Sequence, residues 1–530
     1  MTATIGTPDF AEPVVHTDHR GFYRILTDLD SPVYVVRTPD AVGLSTARPA
    51  DDTSVIAAVG PLPAQRLGSA AFRTHHGVRY AYMGGAMAGG IASEEYVIAL
   101  ARAGCLGSFG AAGLIPSRVE AALRRFAAEI PGLPYAANLI HSPSEPAMER
   151  AAVELFLRYR VRCVEVSAFM DVTPNIVRYR VAGLSRTADG RLVVRNSVIA
   201  KVSRAEVAEK FMRCAPPAMV AELVAAGHLT AEQAELARYV PLADDVTAEA
   251  DSGGHTDRRP LTTLVPSLIR TRDRMRDELG LPFAVRIGAA GGIGTPLAAA
   301  AAFTMGADYI VTGSVNQSCL EAGTSDEVRR MLAEAGVADV EMAPAADMFE
   351  LGVELQVLKK GTMFPMRARR LYELYCGYPS LEALPTEELQ RLETQVLHRS
   401  VEDVWQDTVE YFTRRDPGRL DRAAGDPKRK MALVFRWYLG MASRWASTGE
   451  AGRGLDYQIW CGPAMGSFNE WVRDSYLAPA ENRRVVDVAM NLLHGAAFAS
   501  RVQQLALCGV RVPPGCADFR PAPLPNQGQP

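Results

Sequence analysis

From about residue 78 to about residue 314, short apolar runs alternate with segments of helical period, and eight of the runs have strand character. They begin at Tyr80 (YAYM), Cys105 (CLG), Tyr135 (YAANLI), Cys163 (CVEVS), Val198 (VIAKV), Val246 (VTAEA), Phe283 (FAVRIG) and Tyr309 (YIVTG). Strand and helix in alternation imply parallel pairing, and eight such units over about 240 residues fit an α/β fold with a closed (β/α)8 TIM barrel. An open doubly wound sheet has the same periodicity and stays open at this point.

The rhythm breaks in two places. APPAMVAELVAAGHLTAEQAELARYV reads as a helical hairpin inserted after the fifth strand, its second helix started by a capping box of Thr230 with Gln233. Beyond about residue 345 strand signals fade, and FELGVELQVLKK, PMRARRLYELY, TEELQRLETQVLHRSVEDVWQDTVEYF and NRRVVDVAMNLLHGAAFASRVQQLAL all read as helical. Near the start, FYRILTD and PVYVVRT read as strands. The expected organisation is an N-terminal cap segment (1–70), a barrel (71–345) with a helical insertion at about 205–243, a mainly helical subdomain (346–515) and a disordered tail (516–530).

Composition narrows the class. The chain has 530 residues, more than one compact core usually holds, with 48% hydrophobic and 22% charged residues. No apolar run is long enough to span a bilayer and no secretory leader pattern opens the chain, so the expected location is cytoplasmic, away from membranes. A formal charge of −3 gives no basic field for nucleic acid. The eight cysteines are scattered, with no CxxC pair or Cys/His cluster at metal-ligand spacing, which predicts reduced thiols and no metal. The arginine-rich stretches RTRDRMRDE, RARR and RRDPGRLDR read foremost as solvated helix faces, with an acidic carrier protein or the extra phosphate of NADPH as alternative partners.

Candidate chemistry gathers at strand ends. FAVRIG runs into GAAGGIG, after which Thr295 can N-cap a helix that has Pro296 at its first position. That end offers free amides and a positive dipole, suited to phosphate. The next strand delivers Gly313 and Ser314 beside it, so Gly291, Gly292, Gly313 and Ser314 can serve one phosphate, in the place many barrels use after strands seven and eight. Tight turns alone would also explain these glycines. After the sixth strand come Ser252, Gly253, Gly254 and His255, a backbone that a flat ligand can approach and an imidazole that can donate; a structural hydrogen bond is the other use of such a histidine. Gly85, Ala86 and Met87 follow the first strand, with Ser93 starting its helix, while Asn138 and Lys201 are polar residues on apolar strands that need partners.

Taken together, GGAMAGGIAS, Asn138, SGGH, and AAGGIG followed by VTGS resemble the FMN-dependent barrel group that contains nitronate monooxygenases and flavin-type bacterial enoyl reductases. More specifically, NLIHSPSEPAMERAAVELFL, VEVSAFMDVTPNIVRYR, ADSGGHTDRRP, KKGTMFPMRARRLYELY and YQIWCGPAMGSFNEWV resemble the PfaD-like enoyl reductases of polyunsaturated fatty acid and trans-acyltransferase polyketide synthesis, over about residues 15–515. The resemblance implies FMN at the barrel mouth, reduction by NADPH, and hydride transfer to an enoyl thioester on acyl carrier protein. By the same resemblance, Gly85, Ala86, Met87 and Asn138 contact the flavin with Lys201 near them, and Ser252, Gly253 and Gly254 line its site. Gly291, Gly292, Gly313 and Ser314 hold its phosphate, and His255 orients the thioester carbonyl or relays a proton. Asp251 stands where flavin enoyl reductases often have Glu, a departure that leaves no role for the longer carboxylate. No G-x-S-x-G acyltransferase motif is evident, so a free-standing reductase is expected. A nitronate monooxygenase-like flavin oxygenase and a non-catalytic assembly protein are the competing classes, and a homodimer is compatible with the sequence.

Overall fold

The computed structural model describes residues 14–141, 146–280 and 284–523. The N-terminal strands are β1 (Val33–Arg37), β2 (Val42–Ser45) and β3 (Val55–Val59), an antiparallel sheet in the order β2-β1-β3. FYRILTD, a strand by its sequence pattern, is instead part of the helix His19–Thr27. Asp18 caps that helix by accepting from the Gly21 amide, and Phe22, Ile25 and Leu26 bury one face at helical spacing. The first thirteen residues of the expected cap segment lie outside the described residues.

The barrel takes β4 (Tyr82–Gly84), β5 (Leu106–Phe109), β6 (Ala136–Ile140) and β7 (Cys163–Ser167), then, after a short antiparallel hairpin of β8 (Leu184–Arg186) and β9 (Leu192–Val194), β10 (Ser197–Val202), β11 (Asp245–Glu249), β12 (Arg286–Ala290) and β13 (Tyr309–Thr312). All eight barrel strands are parallel, and the ring closes in the order β10-β11-β12-β13-β4-β5-β6-β7. Each coincides with one of the eight apolar runs; Phe283, where the seventh run begins, is itself outside the described residues. The hairpin β8–β9 has no counterpart in the apolar pattern, because its strands are only three residues long and half exposed.

The interior is packed with side chains. Gly288 leaves room for the Tyr309 ring, whose hydroxyl lies 2.7 Å from Thr247 Oγ1. Phe72, on the helix Ala70–His76, closes the N-terminal end by stacking on Tyr309 at 4.2 Å. That end also holds fixed charge. Asp245 accepts from Arg286 at 2.6 and 2.8 Å and lies 2.8 Å from His76, and buried Arg180 pairs with Asp244 through both terminal nitrogens. Burial alone would raise the Asp245 carboxyl, but His76 and Arg286 outweigh it and hold it well below its ordinary value.

Thr230 and Gln233 form the expected capping box, and the insertion contains the helices Pro217–Ala225 and Ala231–Leu236. Beyond the barrel, FELGVELQVLKK is helical only in a single 3-10 turn at Phe349–Leu351. It supplies β15 (Glu354–Leu358), paired antiparallel with β14 (Val340–Pro344), so residue 345 falls inside a hairpin rather than at a break between elements. Four of its five residues are buried, which removes the alternation that marks a half-exposed strand. The rest of this part is helical, with Phe364–Gly377, Val401–Arg415, Pro427–Thr448 and Val485–Leu507 as its longer helices.

Residues 516–523, placed in the tail by sequence, are held at several points. Cys516 is buried, Phe519 meets Phe498 at 5.7 Å, and Ala522 and Asn491 exchange hydrogen bonds; the remainder of the tail lies outside the described residues. No helix among the described residues is long and apolar enough to cross a membrane.

Candidate active site

A cavity of about 1300 Å3 opens at the C-terminal ends of the barrel strands, roofed by β14, β15 and the helix Pro427–Thr448. Gly85, Ala86, Met87, Asn138, Lys201, Ser252, Gly253, Gly254, His255, Gly291, Gly292, Gly313 and Ser314 all line it. The closed barrel alone explains the convergence, since these residues follow or end its strands, and parallel strands present their C-terminal ends on one face.

The inner wall is charged. Lys201 Nζ lies 2.9 Å from Glu249 Oε1, both largely buried. Burial opposes the ammonium, but Glu249 and then Glu165 outweigh it and raise Lys201 above its usual value, so the site keeps a fixed positive charge. Glu165, at the middle of β7, is fully buried and accepts from the Ala86 amide through Oε2 at 2.9 Å. Its Oε1 is buried with no hydrogen-bond partner among the described residues. A carboxylate oxygen left in that state is costly unless a ligand brings a donor to it. Asn138 donates to Glu165 O and Ser167 Oγ, both at 3.0 Å, and so ties β6 to β7.

His255 faces a partner that lies far away in sequence. Its Nε2 is 3.1 Å from Asp347 Oδ1, in the turn between β14 and β15. The turn is held in place by Gln356 on β15, which exchanges backbone hydrogen bonds with Gly254 and donates its side chain to Asp251 Oδ1 and Ser252 O at 2.8 Å. Burial lowers His255, yet the Asp347 hydrogen bond and charge prevail and its value is raised; Asp347, also pushed up by burial, is lowered on balance by His255. A histidine raised on folding contributes its stabilisation fully below the unfolded value of about 6.5 and loses it as pH rises through the folded value. An NMR titration of the His255 ring should therefore give a midpoint above about 6.5, and Asp347→Asn should bring it down; a midpoint below about 6.5 in the unmodified protein would contradict this electrostatic picture.

The glycines divide into two kinds. A Cβ at Gly253 would come within 2.8–3.0 Å of the Cys461 backbone, one at Gly291 within 2.7 Å of Ala250, and one at Gly85 within 2.8 Å of Val311. Their bare backbones serve packing. At Gly254, Gly292 and Gly313 a Cβ would meet nothing within 4 Å, so the space beside them belongs to the cavity. Gly292 has φ +71, and Thr295 caps the helix Pro296–Thr304 that follows, accepting from the Ala298 amide at 3.2 Å. The Gly313 turn is braced from below by Asn316, which donates to Thr312 Oγ1 at 2.9 Å and Tyr96 Oη at 2.8 Å. Ser314 Oγ accepts from the Gly462 amide at 3.0 Å, joining this turn to the C-terminal part.

Three groups of the site are absent from the sequence-derived candidates. Asp347 lies 92 positions from its partner, and no local signal marks it. Glu165 does carry one, being a polar residue on an apolar strand like Asn138 and Lys201. His141, one position beyond β6, also lines the cavity, with Nδ1 2.9 Å from the buried Glu149. A separate trio, His75, His76 and Asp245, has atoms close enough to share a metal, but it sits at the opposite end of the barrel and both Asp245 oxygens already take hydrogen bonds.

Comparison with known proteins places this geometry in a family. The model for nitronate monooxygenases matches residues 74–368, more than half of the chain, and that for the inserted helical domain of [acyl-carrier-protein] S-malonyltransferase matches residues 378–457. One of the polyunsaturated fatty acid synthase proteins of Thraustochytrium sp. is 49% identical over 491 residues, 91% of this chain and 32% of that protein. Polyketide biosynthesis protein PksE of Bacillus subtilis is 42% identical over 490 residues, 92% of this chain and 63% of that protein. The chain thus spans about a third of the first relative and under two thirds of the second. The crystal structure of the enoyl reductase domain of MlnA, from the macrolactin biosynthesis cluster of Bacillus amyloliquefaciens, is 37% identical with a TM-score of 0.80, covering 84% of this chain and all of that one. The chain belongs to the nitronate monooxygenase family and, within it, to the PfaD-like enoyl reductases.

Proposed function

We propose that the protein is an enoyl reductase that uses FMN and NADPH to saturate the α,β-double bond of an enoyl thioester carried on acyl carrier protein, in polyketide or polyunsaturated fatty acid synthesis. The observation that carries this reading is the cavity at the barrel mouth, where open glycine turns, a fixed ammonium and an imidazole converge, in a chain similar to the whole of the MlnA enoyl reductase domain. The similarity of residues 378–457 to a helical domain of malonyltransferases of acyl carrier protein supports a carrier-linked substrate.

The residues fit FMN. Gly292 and Gly313 leave open the space that a phosphate at two adjacent turns would fill, with the helix Pro296–Thr304 directing its positive end there. Ser314 closes the same turn. Glu165 Oε1 is an unmet acceptor beside Gly85, Ala86 and Met87, suited to an N–H or O–H of the ring or ribityl chain. Asn138 and Lys201 frame that side, and Ser252, Gly253 and Gly254 the other. Bound there, FMN would supply the hydride chemistry that links NADPH to the enoyl group.

The chain's own residues orient and polarise the substrate. The Asp347 hydrogen bond and charge favour the protonated ring of His255, and an imidazolium donates from both nitrogens: Nε2–H serves Asp347, and Nδ1–H is then left for the thioester oxygen, where negative charge develops. Asp347 fixes the ring. β14, β15 and the helix Pro427–Thr448 line the outer side of the cavity.

The test is a mass measurement. The FMN-loaded protein, given NADPH and crotonyl-loaded carrier protein, is expected to add two hydrogens to the acyl group in step with NADPH consumed. An unchanged acyl mass with NADPH consumed only in air would favour the oxygenase reading that the family also permits.

A further inference from the structure

We propose that His141, positioned by Glu149, is the acid that delivers a proton to the α-carbon, leaving His255 to hold the thioester oxygen. The inference rests on the reductase reading and gives a role to a residue that lies in the NLIHSPSEPAMER stretch but is not among the sequence-derived site candidates.

The pair is built as an acid with an orienting group. Glu149 is buried, its side chain 2% exposed, and both of its oxygens are used. Oε2 lies 2.9 Å from His141 Nδ1, and Oε1 accepts from Thr173 Oγ1, the residue that caps the helix Pro174–Ala182. A buried carboxylate beside an imidazole favours Nδ1–H and fixes the ring, as the third member of a catalytic constellation does. The ring also packs 5.2 Å from buried Phe169. With Nδ1 engaged, Nε2 is the nitrogen left for a molecule in the cavity, and it makes no hydrogen bond to a described residue. The His141 side chain is 25% exposed, so it can exchange its proton with solvent.

Position separates the two imidazoles. His141 follows β6 and His255 follows β11, three places apart in the eight-stranded ring, so the same cavity is flanked by an imidazole on each side. His255 uses Nε2 for its carboxylate and His141 uses Nδ1. When hydride adds to the β-carbon, the π pair of the double bond moves toward the α-carbon and the thioester oxygen. The Nε2–H bond of His141 then breaks as the Cα–H bond forms, and the neutral imidazole regains a proton from water. Enoyl thioester, NADPH and one proton give the saturated thioester and NADP+.

The experiment uses the full FMN-loaded chain, unmodified and as His141→Gln and Glu149→Gln. Anaerobic stopped-flow records flavin reduction by NADPH and reoxidation by crotonyl-loaded carrier protein, and the product formed in D2O is analysed for the configuration of deuterium at the α-carbon. The ratio of reoxidation to reduction rate is expected to fall about 10²–10⁴-fold in His141→Gln, the usual worth of a positioned acid. Glu149→Gln, which keeps the size of the side chain, should fall less. The unmodified protein should give one α-configuration and His141→Gln a mixture, because water then protonates from either face; a purely structural role would not alter that outcome. Reoxidation within threefold of the unmodified protein, with one configuration kept in both variants, would overturn the assignment. If the unmodified protein itself is not reoxidised by the enoyl thioester, the reductase reading fails, and this inference with it.

Discussion

Gly292→Asp is expected to weaken FMN binding by about three orders of magnitude without unfolding the barrel. Aspartate is among the few residues that tolerate a left-handed backbone, such as the φ of +71 at this position, and a Cβ there meets nothing within 4 Å. The fold therefore accepts the change. The carboxylate then occupies the space assigned to the phosphate, and two unit charges about 4 Å apart at an effective dielectric of about 20 repel by about 4 kcal/mol, equivalent to about a thousandfold in affinity. Gly313→Asp should act in the same direction, since it too opens onto the cavity. Gly292→Ala, with strain but no charge, should cost far less. Titration of the apoprotein with FMN by fluorescence quenching measures all three; unchanged affinity in both aspartate variants would place the phosphate elsewhere.

The second large effect is expected at His255. His255→Ala should reduce turnover with a carrier-bound enoyl thioester about 10²–10³-fold, the range found when one donor to a developing oxyanion is removed. FMN affinity should change little, because the residues fitted to the phosphate follow β12 and β13 rather than β11. Asp347→Asn should be milder and different in kind. It keeps a group that can hold the ring but removes the charge that raises the imidazole, so the alkaline limb of the kcat/KM profile should move to lower pH. A full pH profile of the three proteins separates these outcomes, and wild-type turnover in His255→Ala would remove the histidine from the mechanism.

These expectations draw on residues of unequal legibility. The eight barrel strands and the strand-end glycines can be read directly, because apolar runs at even spacing and glycine at turns are local signals. The glycines, however, share one sequence appearance and have two structural causes. Gly253 and Gly291 are bare because backbone from elsewhere presses on them, and Gly292 and Gly313 because space beside them is open. Only three-dimensional packing separates the two. β15 resembles a helix in sequence because it is buried on both faces, and with it Gln356 is hidden, which clamps the Ser252–Gly254 turn from outside the barrel. Asp347 depends on chain segments brought together by the fold, whereas His141 and Glu149 lie eight positions apart in one stretch and only the loop and helix geometry shows that they pair. Glu165 is the accessible omission, since a buried acid on CVEVS poses the same question as Asn138 and Lys201. FYRILTD shows the reverse error, an amphipathic helix turn that passes for a strand because its apolar residues are few and close together.

The central claim, that this cavity holds a flavin which reduces an enoyl thioester, is tested most directly by an anaerobic visible spectrum of the FMN-loaded protein. NADPH should bleach the flavin, and crotonyl-loaded carrier protein should restore its colour without oxygen. A protein that takes up no FMN, or a bleached flavin whose colour returns only in air, would contradict the account.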